Sequence, residues 1–194
     1  MNVSASVLGI AVVVCAAAAA QASGGHPLAI DPQHSKMTVY VYKEGFFSFA
    51  ADNHEIHAPI VSGSFDETAK KVEITVDATK MQVLDPKLPA DRRAKVQDNM
   101  VGPQVLDVAR FPKIVFQSSD VKLAGSGHSV ISGDLTLHGQ THPISVDVTR
   151  VDATHYNGSA VIRQTAFGIA PIRIAGGLVR VKDDIKVVFE IALQ

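Results

Sequence analysis

The feature that most constrains the fold of this chain is a repeated alternation of apolar and polar residues with a period of two. In residues 71–77, for example, Val72, Ile74 and Val76 alternate with polar side chains. Successive side chains of a β-strand point to opposite faces, so each such segment predicts a strand with one buried face. The alternating or β-rich segments are residues 37–42, 56–65, 71–77, 114–121, 130–138, 144–151, 156–163 and 185–193. We therefore predict an all-β fold of about eight strands.

Short segments of turn-forming residues separate several of these predicted strands. They are residues 66–68, 125–127, 138–140 and 157–158. Links of this length join antiparallel neighbours, because parallel strands need a long crossover connection. Eight antiparallel strands can close into a barrel, wide enough for one small ligand, or form a sandwich. The alternation alone does not choose between these two architectures.

Two segments depart from the strand pattern. Residues 90–100 are rich in helix-forming and polar residues and predict a surface helix, which Pro103 prevents from extending. Residues 167–181 are apolar but contain three glycines and a proline, which is too many breakers for a regular strand. With no internal repeat and no linker between domains, we predict a single domain with one helical insertion.

The N-terminus has the form of an export signal. Residues 7–20 are a continuous apolar run, too short to span a bilayer, and small residues follow it at Ala20-Gln21-Ala22. We predict a signal peptide over residues 1–22 and a mature domain over residues 23–194, located in the periplasm or secreted. The lone Cys15 follows Val14 rather than the small residue typical of a lipoprotein signal, so the predicted mature chain has no cysteine and no disulfide.

Composition excludes some classes of partner. The formal net charge is −1, no block of basic residues is present, and the chain has no tryptophan. A nucleic-acid surface or a polybasic membrane patch would need clustered lysine and arginine. We therefore predict no nucleic-acid partner. The shortness of the run at residues 7–20 predicts no stable membrane span, and the sequence leaves open whether the barrel forms a homodimer.

The residues that could carry chemistry give weak patterns. His54 and His57 are three apart, which on a regular strand directs them to opposite sides, and a zinc or copper site needs three or four ligands. Asp31, His34 and Ser35 have the residue types of a catalytic triad but are crowded at one strand entry. No nucleophile-elbow, phosphate-loop or dinucleotide motif is present. We predict no metal site and no catalytic residue, and keep a histidine-dependent metal-binding protein and an esterase- or isomerase-like enzyme as alternatives.

Six motifs in order give the chain a likeness to a known family. They are residues 31–35 (DPQHS), 63–66 (GSFD), 105–118 (VLDVARFPKIVFQS), 133–144 (GDLTLHGQTHPI), 163–169 (RQTAFGI) and the final strand at 183–193. This order resembles the YceI-like family of exported, lipocalin-like proteins that bind polyisoprenoids. The segment 45–57 departs from the family pattern, because three phenylalanines and two histidines are concentrated there.

The resemblance implies an extended eight-stranded antiparallel lipocalin-like β-barrel with one helix beside it. It also implies non-catalytic binding, storage or transport of an isoprenoid or quinone-like lipid in an apolar tunnel, with no cofactor besides that lipid. Apolar walls with few polar groups suit such a ligand. The residues predicted to line the tunnel are Phe46, Phe47, Phe49, Phe116, Phe167, Ile169 and Ile172. On composition alone, the same residues would fill a closed core.

Overall fold

The computed structural model describes residues 27–44, 53–174 and 178–194. Its strands are β1 (Leu28–Ala29), β2 (Lys36–Val41), β3 (Lys43–Glu44), β4 (His54–His57), β5 (Ile60–Asp66), β6 (Lys71–Asp77), β7 (Gln82–Val83), β8 (Lys113–Gly125), β9 (His128–Leu137), β10 (Gln140–Arg150), β11 (His155–Arg163), β12 (Arg173–Ile174), β13 (Val179–Val181) and β14 (Asp184–Ala192). One α-helix, α1, spans Ala90–Val101, and 3-10 turns span Ala78–Lys80 and Gln164–Phe167. The predicted all-β class with one helical insertion is confirmed. The predicted leader at residues 1–22 lies outside the described residues.

The strands form one antiparallel sheet that returns on itself. From β5 the pairing runs through β6, β8, β9, β10, β11 and β14 to β2, and β2 pairs with β4. Only Ala58 and Pro59 separate β4 from β5, so the last strand of this order continues directly into the first. Ile30 completes the ring, because its N–H donates to the carbonyl of Gly63 at 3.0 Å and it bridges to Leu193 beyond β14.

The ring contains eight strands when each bent pair is counted once. β1 and β2, on either side of the turn at residues 32–34, are counted as one strand, and β4 and β5, two residues apart, as another. Pro59 lacks an N–H and therefore fits the break at which this strand changes partners. Its carbonyl still accepts a hydrogen bond from the N–H of Asp77 at 3.1 Å, and the N–H of Ala58 donates to Met37 at 3.0 Å. The predicted antiparallel, lipocalin-like barrel class is confirmed, and β3, β7, β12 and β13 are short strands beyond the predicted eight.

Alternation determines which side chains face the inside of the barrel. On β14, Val187 and Phe189 are buried, whereas Lys186 and Glu190 are exposed. The same period appears on β9 to β11, because one face of the sheet is removed from water and the other is not, whereas bulges in β5 and β8 interrupt it. The apolar stripes of neighbouring strands therefore meet in one interior.

The two ends of the barrel differ. At the hairpin end lie the β5–β6, β8–β9 and β10–β11 turns. At the helix end, α1 and the residues after it connect β7 to β8. Gln97 attaches α1 to this end, because its Oε1 accepts from the N–H of Val83 and its Nε2 donates to the carbonyl of Met81, both at 2.8 Å.

The glycine-rich segment after β11 forms a small separate sheet. β13 pairs with β12 on one side and with β3 on the other. An ion pair between Arg180 Nε and Glu44 Oε1, 2.6 Å apart, joins β13 to β3. The expectation that residues 167–181 do not form one regular strand is confirmed, since the described part contains only two short strands.

Candidate functional site

A cavity of about 670 Å³ occupies the interior of the barrel. It reaches both ends of β9, since His128 and Leu137 both line it. At about 3.3 Å per residue and a strand tilt of about 40°, a strand of this length spans roughly 20–25 Å along the barrel axis. The cavity is therefore long and narrow, with a volume in the range of small-molecule sites.

The wall of the cavity is apolar along most of its length. Inward-facing aliphatic residues of the ring strands make up most of it, and its aromatic rings include Phe116 and Phe189. Within the described residues, the charged or ionisable side chains of the wall all lie at the hairpin end. They are Glu67, Lys70, His128 and Arg150. The cavity therefore combines an apolar tunnel with a polar mouth.

Two glycines leave room for these two rings. Gly133 on β9 lies beside Phe116, and an added Cβ would come within 2.7 Å of that ring. Gly158 pairs directly with Phe189, whose ring occupies the place where a side chain would otherwise lie. Because the glycines carry no side chain, both rings lie close to the wall and leave the middle of the barrel open.

Of the residues predicted to bind the ligand, Phe116 and Ile169 line this cavity. Phe116 belongs to β8, opposite Leu135 of β9, and Ile169 follows Gly168 at the helix end. Gly168 has φ +71°, a conformation that favours glycine and that turns the chain inward after the 3-10 turn. These two predicted residues face the same interior from different elements.

Phe167 and Ile172 do not line the cavity. Phe167 is only 1 % exposed and packs edge-on against the ring of His142, with ring centroids 5.2 Å apart. Its carbonyl accepts a hydrogen bond from His138 Nδ1 at 3.1 Å. Phe167 is thus part of the packed wall, because the 3-10 turn directs it towards β10 rather than inward. Ile172 is half-buried, and its carbonyl accepts from the N–H of Val181. Phe46, Phe47 and Phe49 lie outside the described residues.

The sequence hypothesis emphasised aromatic residues and missed most of the aliphatic lining. That lining includes Met37, Val39, Ile74, Ile131, Leu135, Val146, Val148 and Val187. The signal for these residues was already present in the alternation that predicts the strands. Every inward position of a barrel faces either a filled core or a cavity, and the pattern is the same for both.

Arg150 at the mouth is held in place by the backbone of the β10–β11 loop. Its Nε donates to the carbonyl of Asp152 at 2.8 Å, and its Nη2 to the carbonyl of Ala153 at 3.5 Å. The guanidinium carbon lies 5.9 Å from the ring centroid of Tyr156, which also lines the cavity. Its Nη1 lies 3.9 Å from Glu67 Oε1 across the mouth. Arg150 therefore has a defined orientation although it is partly exposed.

Asp152 stabilises the loop that holds Arg150. Its Oδ1 accepts from the backbone N–H groups of Thr154 and His155, both at 2.8 Å. The Thr154 N–H first, and the His155 ring second, lower the pKa of the Asp152 carboxyl from 3.8 to about 2. The carboxylate form thus maintains the loop conformation that directs two carbonyls to Arg150.

The histidines of β4 do not gather into a metal site in the described structure. His54 Nδ1 lies 2.6 Å from Asp85 Oδ2, and Asp85 Oδ1 accepts from the N–H of Glu55 at 2.8 Å. This arrangement attaches the segment after β7 to β4. Over residues 27–44, 53–174 and 178–194, no three His, Cys, Asp or Glu side chains are close enough to share a metal ion.

The residues of the triad-like motif have structural partners. His34 Nδ1 lies 2.7 Å from Asp31 Oδ2, but its side chain is 73 % exposed. Ser35 Oγ accepts from the N–H of Ala192 at 3.0 Å rather than contacting His34. These contacts attach the entry of β2 to the end of β14 and do not form a proton relay of the triad type. None of the helices in the described parts of the chain is long and apolar enough to cross a membrane.

Comparison of this chain with known proteins identifies a family and individual relatives. The family model of the YceI-like domain matches residues 28–193. A UPF0312 protein of Yersinia pestis is 33% identical over 89 residues, which are 44% of this chain and 42% of that protein. One from Shewanella oneidensis is 25% identical over 118 residues, 61% of this chain and 58% of that protein. The matches thus span about half the length of these curated relatives.

Two solved structures share the fold at low sequence identity. BcnA of Burkholderia cenocepacia has a TM-score of 0.59 and 19% identity, covering 84% of this chain and 98% of that one. A polyisoprenoid binding domain from Saccharophagus degradans, implicated in plant cell wall breakdown, has a TM-score of 0.56 and 14% identity, covering 86% and 97%. These likenesses concern the fold.

Proposed function

Since this chain belongs to the family of YceI-like domains, we propose that it is a non-catalytic binding protein for a long apolar lipid of the isoprenoid or quinone-like class. The observation that carries the proposal is the tunnel itself, whose wall is predominantly apolar and whose charged groups, among the described lining residues, lie at the hairpin-end mouth. A ligand with an extended apolar tail matches this distribution of polarity, because the tail has no polar groups to satisfy.

The length of the tunnel suggests the length of the tail. Three bonds of an extended chain span about 3.3–3.6 Å, so a tunnel of roughly 20–25 Å accepts about four to five isoprene units of four main-chain bonds each. Each buried methylene contributes about 0.8 kcal/mol, so affinity grows with every unit that enters. Tail burial is therefore the main source of affinity, and several lipids of similar length are expected to bind.

The printed description of the Saccharophagus degradans domain supports the choice of ligand class, since that domain is a polyisoprenoid binding domain of the same fold. The wall supports a binding role over catalysis. Besides the ionisable groups of the mouth, its polar side chains include Ser129, next to His128 at the same end, and Gln164. Gln164 Nε2 donates to the carbonyl of Lys182 at 2.8 Å and is thereby attached to the wall. We assign the protein to storage or transport rather than to chemistry on the lipid.

We further propose that the protein acts after export, in the periplasm or outside the cell. The apolar run at residues 7–20 and the Ala20-Gln21-Ala22 site support this proposal. Intact-mass measurement of the protein from a periplasmic fraction tests it, and the expected N-terminus is near Ser23. Protein that retains Met1 in the cytoplasm would contradict export, and protein acylated at Cys15 would contradict cleavage after Ala22.

Native mass spectrometry of the protein purified without detergent tests the ligand class. We expect a co-purifying mass that organic extraction removes and that fragments as a prenyl chain. A stoichiometric metal ion that is lost on double substitution of His54 and His57 by Ala would favour the metal-binding alternative instead. Turnover of ester substrates that disappears on Ser35→Ala would favour the enzyme alternative.

A further inference from the structure

The hairpin end carries exposed apolar side chains beside the mouth of the tunnel. We propose that this end is a docking surface for a phospholipid bilayer, from which the protein takes up its lipid and to which it returns it. The inserting side chains are those of Leu123 on β8 and Val151 directly after β10. This inference rests on the proposed function and adds the partner with which the tunnel exchanges its ligand.

The tunnel meets the surface at the hairpin end. Leu123 is 77 % exposed although it lines the cavity, and a residue can do both only where a cavity opens to solvent. Within the described chain, all exposed residues of the cavity wall belong to this end. They are Glu67, Lys70, Leu123, Gly125, Gly127 and Arg150. The mouth of the tunnel therefore lies among these turns.

The described residues of the helix end cover the tunnel instead. Met81, Met100, Leu106 and Ile169 line the cavity at that end, and all four are buried. Gln97 holds α1 against β7 there through its two backbone hydrogen bonds. Among the parts of the chain that the structure describes, the opening that needs no movement of the fold is thus at the hairpin end.

The apolar wall of the tunnel continues onto the rim of the mouth. Val121 and Leu123 lie two apart on β8 and both line the cavity, and Leu123 is the exposed one of the two. Exposed Leu28 of β1 pairs with Phe65 of β5 and therefore shares its face of the sheet. Phe65 lines the cavity, and its ring contacts that of Tyr156, with centroids 5.6 Å apart. An apolar chain therefore meets apolar side chains from the rim to the interior.

Val151 extends the rim on the β10–β11 loop. It is 58 % exposed, and its N–H donates to the carbonyl of His155 at 2.9 Å. The N–H of Arg150 donates to the carbonyl of Gly127 at 2.8 Å and so joins this loop to the turn that follows Leu123. Exposed apolar side chains grouped beside a binding site are typical of an interaction surface.

A bilayer is the partner that fits this surface. The proposed ligand dissolves in the apolar interior of a bilayer rather than in water, so a bilayer is where the tunnel collects it. Charges beside the mouth include two pairs of opposite sign, Lys122 with Asp120 at 4.0 Å and Arg150 with Glu67 at 3.9 Å. Such pairs give little net attraction to an anionic surface. Docking therefore depends on insertion of apolar side chains.

The chain has no tryptophan, which permits a single-residue fluorescent reporter. Leu123→Trp places an indole at the rim. Val161→Trp is the control, because Val161 of β11 is 62 % exposed and does not line the cavity. Each delipidated protein is mixed with unilamellar phosphatidylcholine vesicles. We expect the emission of Leu123→Trp to move to shorter wavelength and to be quenched by lipids with brominated acyl chains, and we expect neither change in Val161→Trp.

Two double variants with the same residue changes test the surface itself. One combines Leu123→Ser with Val151→Ser, and the control combines Leu178→Ser with Val161→Ser, at two exposed positions that do not line the cavity. In flotation with phosphatidylcholine vesicles, the first should partition at least about tenfold more weakly than the unsubstituted protein, and the control within about twofold of it. Replacing about a quarter of the lipid by phosphatidylglycerol, or adding about 0.5 M salt, should change partitioning little.

Val151→Ser alone separates docking from ligand binding, because Val151 does not line the cavity. This variant should bind a prenyl probe, added as monomer below its micelle concentration, as tightly as the unsubstituted protein does. It should extract the same probe from vesicles about three- to tenfold more slowly, because its contact with the bilayer is weaker. Circular dichroism and urea unfolding check that each variant is folded.

The outcomes separate this inference from the proposed function. A protein that binds the monomeric probe but not vesicles would overturn the docking surface and leave the tunnel standing. Equal loss of vesicle binding in the two double variants would overturn its location, and binding that needs phosphatidylglycerol and is lost in salt would overturn apolar insertion. A shift of Leu123→Trp emission with a lipid-free extract of soluble proteins, but not with vesicles, would make a protein the partner instead of a bilayer. Failure to bind the monomeric probe would contradict the proposed function itself.

Discussion

Replacing Phe116 and Phe167 separately by Ala tests which aromatic residue faces the ligand. Phe167 is 1 % exposed and packed on all sides, so Phe167→Ala should lower the free energy of unfolding by about 3–5 kcal/mol, the usual cost of deleting a buried ring. Phe116 is half-buried and contacts the wall on one side and the cavity on the other. A ring beside a void has fewer contacts to lose, so Phe116→Ala should cost about half as much, roughly 1.5–2.5 kcal/mol.

The two variants should have the opposite order in ligand binding. Phe116→Ala removes wall area from the tunnel and should weaken binding of a prenyl probe about three- to tenfold, or about 0.7–1.4 kcal/mol. Phe167→Ala should leave the affinity for the probe nearly unchanged under conditions in which this variant is folded. Urea unfolding of the delipidated proteins gives the first quantity, and fluorescence titration gives the second. Equal losses of stability, together with unchanged binding in Phe116→Ala, would refute the assignment of these residues to cavity and wall.

Three further variants test other parts of the structure. Gly133→Ala should lower the free energy of unfolding by about 1–3 kcal/mol, because the added Cβ would overlap the Phe116 ring and the backbone. Ser132→Ala is the control and should have little effect, and urea unfolding compares the two variants. Asp85→Ala should cost about 1–3 kcal/mol in the same assay by removing the acceptor of the Glu55 N–H, and a cost equal to that of the exposed Asp134→Ala would contradict this role. Hydrogen bonds lower the pKa of the Asp152 carboxyl from its ordinary 3.8 to about 2. The carboxylate therefore stabilises the fold at higher pH, and this contribution to the free energy of unfolding is lost as the pH falls from about 4 to about 2. Asp152→Asn should therefore show a smaller decrease of the urea midpoint between pH 5 and pH 2 than the unsubstituted protein, and an equal decrease would argue against it.

The alternation in the sequence predicted the long strands, and the helix-forming residues of 90–100 predicted the helix. Apolar residues two apart in a strand, such as Val187 and Phe189, lie on the same face of the sheet and are buried together. Short turns then make strands that are consecutive in sequence pair as antiparallel neighbours. The predicted strand at residues 56–65 is part of a longer bent strand, interrupted at Pro59, whose partner on one side changes from β7 to β6. That exchange of partners depends on closure of the whole ring, so no local pattern encodes it.

The site was less predictable than the fold. Phe116 and Phe167 are both aromatic, but they lie in different elements. Phe116 lies on β8 and faces the cavity, whereas the 3-10 turn at Gln164–Phe167 directs Phe167 into the packed wall. Lys70 and Arg150 are 80 positions apart in sequence, and they come to one mouth because two separate turns lie at the same end of the barrel. The sequence gives no local sign of either arrangement.

Binding of prenyl alcohols of increasing length to the delipidated protein tests the central claim most directly. If the tunnel holds an extended tail, affinity should rise with each added isoprene unit and reach a plateau at about four to five units, where the tail fills roughly 20–25 Å. Isothermal titration should show one ligand per chain, with a negative change in heat capacity that grows over the same range. Absence of saturable binding at every length, or an affinity independent of tail length, would contradict the account.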